Sequence, residues 1–239
     1  MEILSIAILT LVAATLGTVT GFGTSTIMIP VLAIFLPPVE AILFVSIIHW
    51  FGDVWKVALF RKGLNLTLIA LFGVTGLVTS YLGASISLGT NATVLLRLLG
   101  VFLAAYSVFL FAQPTFAVHP GSATAVSGGA FSGFFAGLFG IGGAIRGLFL
   151  SAFNLPKAVY IATAGAIGLM VDVTRIVTYL TGGVTLSRQR WWGLAVMIPV
   201  SFLGAWIARR VVDKIPQKKF RAVVSVFLFV IGIKLLIWP

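Results

Sequence analysis

Few side chains in this chain can do chemistry, and their types and spacing narrow the options. Its 239 residues include five Asp and Glu, two His and no Cys. Without cysteine, disulfides, iron–sulfur clusters and thiolate zinc sites are excluded. His49, His119 and the carboxylates show no metal-ligand spacing, so neither a metal nor another cofactor is expected. There is no G-x-S-x-G elbow, no H-E-x-x-H and no nucleophile set beside a base, so the chain does not read as an enzyme. One constellation remains. Asp53 and Lys56 are three residues apart and share a helix face with His49, and Gly168, Asp172 and Arg175 repeat the arrangement further on. Ionisable groups inside apolar segments are costly and mark functional positions by default. His49, Asp53, Lys56, Asp172 and Arg175 are therefore candidates for gating or proton coupling. The plainer alternative is a pair of structural ion pairs whose long cationic ends snorkel to the interface.

A second pattern offers backbone rather than side chains. "TGFGTSTIMIP", residues 20–30, interrupts an apolar segment, and "FGIGGAIRGLFL", residues 139–150, repeats the interruption 119 residues later. Irregular chain at membrane depth survives only inside protein or beside a watery cavity. A helix restarting after such a break presents free N–H groups and the positive end of its dipole, which suits an anion. Thr24, Ser25 and Thr26 add hydroxyls at the first restart, and Arg146 adds a planar cation at the second. The candidate anion ligands are Gly21, Gly23, Thr24, Ser25, Gly140, Gly142, Gly143 and Arg146. Membrane glycines more commonly serve close helix packing. The duplicated G-x-G between half-length elements favours function, although it lacks the βαβ context of a nucleotide site.

The elements that must hold these residues are apolar helices. The chain is 60% hydrophobic and 9% charged, with recurring apolar stretches of about 20 residues, the length that crosses a bilayer as helix. This predicts an all-α polytopic membrane protein with lipid as its surroundings. The net charge of +11 sits in short loops and at segment ends, so it is topology information rather than a nucleic-acid surface. The predicted elements are 3–19, 25–36, 41–60, 66–86 and 93–112, then 123–139, 144–153, 158–180, 191–208 and 220–238. In each set the second is too short to span. The first follows Glu2 rather than a basic region and reads as retained structure. Pro37, Pro38 and Pro156 are expected to turn the chain, and Trp191, Trp192 and Trp238 to anchor at the interface.

At an offset of 119, Gly21 matches Gly140, Gly23 matches Gly142, Pro37 matches Pro156, Asp53 matches Asp172, Lys56 matches Arg175 and Gly63 matches Gly182. Residues 1–121 and 122–239 thus form two membrane repeats. Placing the basic loop 209–221 in the cytoplasm puts the Arg61 and Lys214 loops inside and both termini outside. With the broken pair in each half forming a hairpin, each half crosses an odd number of times, and the repeats are inverted.

The duplicated "GFGTSTIMIP" and "GIGGAIRGLF", the proline after each short element and the "D-V-x-[KR]" of the following span resemble the TauE/SafE family of sulfite or sulfonate exporters, also called TSUP. The resemblance covers essentially the whole chain. It implies a bacterial inner-membrane permease for sulfite, sulfonates or related sulfur-containing anions. Thr24 and Ser25 cut the first glycine run short, and Phe149 stands where the first copy has Pro30, so the half-sites are chemically unequal. The leading expectation is alternating access around a midplane anion, with protons as a possible coupling ion. The alternatives are a passive anion channel or a carboxylate permease.

Overall fold

The computed structural model of the chain describes residues 3–60, 63–113, 116, 118–212 and 217–239, the last with backbone alone for 217–223. The Arg61 and Lys214 loops, used above to set topology, lie outside the described residues. The helices are α1 (Ile3–Thr20), α2 (Ser25–Leu32), α3 (Pro38–Leu59), α4 (Leu66–Gly89), α5 (Ala92–Ala112), α6 (Ser122–Phe139), α7 (Gly143–Leu150), α8 (Lys157–Thr181), α9 (Arg188–Val211) and α10 (Gln217–Ile237). A short 3-10 turn, Ser151–Phe153, follows α7. Among the described residues no strand is present, as expected where the backbone must satisfy its own hydrogen bonds.

Among those residues, seven helices are long and apolar enough to cross a bilayer. α2 and α7 have eight residues each, about 12 Å of rise against about 30 Å of hydrocarbon. Outward faces are apolar: Leu66, Val74, Val78 and Leu82 of α4 are exposed. Trp191, Trp192 and Trp238 are exposed near helix ends. The protein is a multi-pass membrane protein.

The breaks occur where glycine allows a left-handed backbone. Gly21, Gly23 and Gly140 have φ of 75°, 78° and 75°, which side chains with a Cβ rarely adopt. After α1 the chain turns back so that the Gly23 N–H donates to the Gly17 carbonyl at 3.1 Å. A Cβ on Gly17 would lie 2.5 Å from the Gly23 carbonyl carbon. After α6, the N–H groups of Gly140 and Ile141 donate to the carbonyls of Ala136 and Phe135. Pro37 and Pro38 open α3 and Pro156 precedes α8. The first turn of a helix needs no N–H donor there and gains from the fixed φ.

α1 packs on α9, α4 on α6, α5 on α10 and α3 on α8, with α8 also on α4 and α3 on α9. Small residues bring these helices together. Added Cβ atoms on Gly133 and Gly137 would strike the backbone of α4, and one on Gly100 that of Gly232. At the centre α3 and α8 run antiparallel. Asn65, just beyond the end of α3, donates its N–H to Thr163 Oγ1 near the start of α8. At the start of α3, Glu40 binds Arg190 in the segment that follows α8.

Candidate functional site

Antiparallel crossing turns two separate Asp–cation pairs into one buried cluster. On α3, Lys56 Nζ lies 2.6 Å from Asp53 Oδ1; on α8, Arg175 Nη2 lies 2.9 Å from Asp172 Oδ1. His49 joins them, its Nδ1 lying 2.6 Å from Asp172 Oδ2 and 3.5 Å from Asp53 Oδ2. The residue matching His49 at the 119 offset is Gly168. A Cβ there would sit 1.8 Å from Asp53 Oδ2, so the missing side chain is what admits that carboxylate. Lys56 and Arg175 are 5% and 1% exposed. Their charged ends stay inside the cluster, and the snorkelling expected as the plainer alternative does not occur.

Arg175 has a second task. Its Nη1 donates to the Gly140 carbonyl at 3.0 Å and to that of Ala136 at 3.4 Å. It thereby neutralises the carbonyl-rich end of α6 and fills the second break. The shorter Lys56 instead ends on Asp53, and a cavity of about 10 Å³, room for one water-sized particle, remains at the first break, lined by Gly17, Thr18, Gly21, Lys56 and Arg146.

Arg146 is 4% exposed and, among the described residues, its side chain makes neither a hydrogen bond nor an ion pair; its Nε, Thr18 Oγ1, Thr24 Oγ1 and His49 Nε2 are buried without partners. A permanent cation in that condition is costly. α7 sets it there because the two breaks abut: a Cβ on Gly143 would meet the Phe22 carbonyl at 2.1 Å and the Gly23 nitrogen at 3.2 Å.

The predicted glycines all sit at close approaches, but not to one common space. Gly142 faces the Ser132 carbonyl, Gly140 faces Ile29 and Arg175, Gly23 faces His49 Nε2, and Gly21 faces Tyr160. Thr24 and Ser25 are buried beside them. Three residues of this region escaped sequence reading. Gly17 and Thr18 lie in regular α1 with no local signal. Tyr160 lines an outer cavity of about 370 Å³ together with Thr20, Tyr106, Ser151, Asn154 and Lys157. Its hydroxyl lies 2.6 Å from the Cβ position of Gly21, so it stands between the outer and inner cavities.

His49, Asp53 and Asp172 each bring a ligand atom within 4.8 Å of one another, a grouping that their scatter in sequence hides. Lys56 and Arg175 already hold the other carboxylate oxygens, and Arg146 adds further positive charge. The arrangement is an ion-pair network that repels an added cation and attracts an anion.

That preference agrees with the comparison of sequences. The family model described as Sulfite exporter TauE/SafE matches residues 6–235. The chain belongs to the TauE/SafE family. No curated protein matches it significantly. As a TauE/SafE protein it is of the sulfite or sulfonate exporter type, which is a transporter family.

Proposed function

We propose that this protein is a secondary transporter of small sulfur-containing anions such as sulfite or organosulfonates, and that the anion occupies the space between the two breaks against Arg146, which is water-sized in this conformation and widens to admit it. The observation that carries the reading is Arg146 itself, a buried guanidinium that, among the described residues, makes no hydrogen bond or ion pair and whose Nε is buried without a partner. Its planar fork suits the oxygens of sulfite or sulfonate. Of the other expected ligands, Gly21 lines the inner cavity with Arg146 and Thr24 offers a buried hydroxyl without a partner, while Gly23, Ser25, Gly140, Gly142 and Gly143 shape the two breaks around it.

The mechanism is alternating access between inverted repeats, residues 1–121 and 122–239, each a Gly-broken hairpin followed by three spans. Two features support it. Equivalent helices α3 and α8 cross antiparallel, and the 119 offset exchanges the His49–Asp172 contact with the Gly168–Asp53 contact. The narrow inner cavity, with Tyr160 beside it, also suits occlusion better than free conduction. In the inner membrane the Lys157 end faces the cytoplasm, and the Asp–cation pairs on α3 and α8, joined through His49 into one buried cluster, act together as the gating and coupling centre.

The test is counterflow in proteoliposomes with sulfite, thiosulfate, methanesulfonate and acetate. Saturable exchange of a sulfur oxyanion with little acetate exchange is expected. Conductance without exchange, or preference for acetate, would replace the reading with a channel or a carboxylate permease.

A further inference from the structure

The buried centre has a charge imbalance that sets which protonation state a substrate brings with it. Lys56, Arg146 and Arg175 are three permanent cations facing two carboxylates, Asp53 and Asp172, all at most 5% exposed. With His49 neutral, one positive charge is left over. A buried net charge is unfavourable, so a bound monoanion completes the centre. A dianion overshoots by one charge, and His49 is placed to correct it.

Each aspartate already has one oxygen engaged, Asp53 Oδ1 by Lys56 and Asp172 Oδ1 by Arg175. His49 differs. Its Nδ1 faces Asp172 Oδ2 at 2.6 Å, which fixes the first ring proton on that nitrogen, and its Nε2 is buried without a partner. That nitrogen lies 2.6 Å from the Cβ position of Gly23, in the first break. Gly23 is bonded to Gly17, a residue of the inner cavity. A second ring proton would therefore point into the break where the anion arrives. The groups around His49 are Asp53 and Lys56 on its own helix, Asp172 and Arg175 from α8, Arg146 from α7 and Thr24 before α2. Among the ionisable residues of α9, Arg190 is bonded to Glu40 at the start of α3, away from the imidazole.

We infer that the centre accepts one net negative charge, so that a dianionic oxyanion binds together with one proton held on His49 Nε2 while a monoanionic sulfonate binds without one. This rests on the anion reading above and names the substrate charge state and the coupled proton. Exporting a dianion would then also move a proton, which makes transport of dianions responsive to a pH gradient and that of sulfonates not.

The test is calorimetry on purified protein at about pH 8, above the usual imidazole range, in buffers that differ in ionisation enthalpy. Sulfate and thiosulfate serve as dianions and methanesulfonate as the monoanion. About one proton taken up per dianion and none per methanesulfonate is expected. In His49→Gln, dianion binding should proceed without proton uptake, and the dianion-to-methanesulfonate affinity ratio should fall by roughly tenfold or more. Dianion binding without proton uptake, uptake that persists in His49→Gln, or methanesulfonate binding with dianions refused would each overturn the inference while leaving the anion site intact. If neither class binds, the anion reading falls and this inference falls with it. The wild-type stoichiometries decide the question even if His49→Gln fails to fold.

Discussion

Arg175 Nη1 lies 3.0 Å from the Gly140 carbonyl and occupies the second break, whereas the matching Lys56 ends 2.6 Å away on Asp53 and leaves the first break hollow. The two halves carry the same Asp–cation pair and differ in the reach of one side chain. That difference, with Arg146 extending from the other half, makes one binding space out of two similar breaks.

Lengthening Lys56 should therefore close the hollow. In Lys56→Arg the guanidinium keeps the charge facing Asp53 and extends toward Gly21, as Arg175 does toward Gly140. Exchange in proteoliposomes should fall by roughly tenfold or more, while thermal unfolding in detergent shifts little because the ion pair is retained. Wild-type exchange in this variant would place the substrate elsewhere.

Gly168→Ala tests the cluster's geometry. The new Cβ would lie 1.8 Å from Asp53 Oδ2 and 3.2 Å from Arg146 Nη2, and Asp53 has little freedom because Lys56 holds its other oxygen. The displaced carboxylate should cost about 1–3 kcal/mol, a typical value for overpacking. Calorimetric unfolding of the variant gives the number, and an unchanged midpoint would mean that the crossing of α3 and α8 is looser than described.

Matched Gly, Pro and Asp recur at one offset in the sequence, which also marks Arg146 as the basic residue beside a break. Its limits have the same origin. His49 joins the halves, yet its partner in the alignment is Gly168, and matching of like residues overlooks a site where one half supplies a side chain and the other a space. The hollow is equally hidden, since Lys and Arg read as equivalent in a pattern and differ in reach. Gly17 and Thr18 look like ordinary residues of α1 until the chain folds back at Gly23. Glycines expected at one anion site are spread by the fold among Tyr160, His49, Ile29 and backbone.

Topology is open to direct labelling in this naturally cysteine-free chain. Leu64 lies before α4, at the end where Asn65 meets Thr163, and Thr185 lies between α8 and α9, near the end where Glu40 meets Arg190. In intact cells a membrane-impermeant thiol reagent should label Thr185→Cys and leave Leu64→Cys protected. The reverse pattern would turn the molecule over, and labelling of both would contradict their placement at opposite ends.

The central claim is that the unpaired Arg146 is the anion ligand, and calorimetry of sulfite binding to purified Arg146→Met tests it most directly. Loss of a charged hydrogen bond should weaken binding by about 1.5–3 kcal/mol. Arg146→Lys should recover part of that, since an ammonium cannot reproduce the bidentate fork. The same substitution removes a buried charge that forms no ion pair among the described residues, so substrate-free Arg146→Met should unfold at a temperature no lower than wild type, and higher if the apolar chain packs well. Weakened sulfite binding in a protein of undiminished stability is the predicted result; unchanged affinity in folded Arg146→Met would contradict the account.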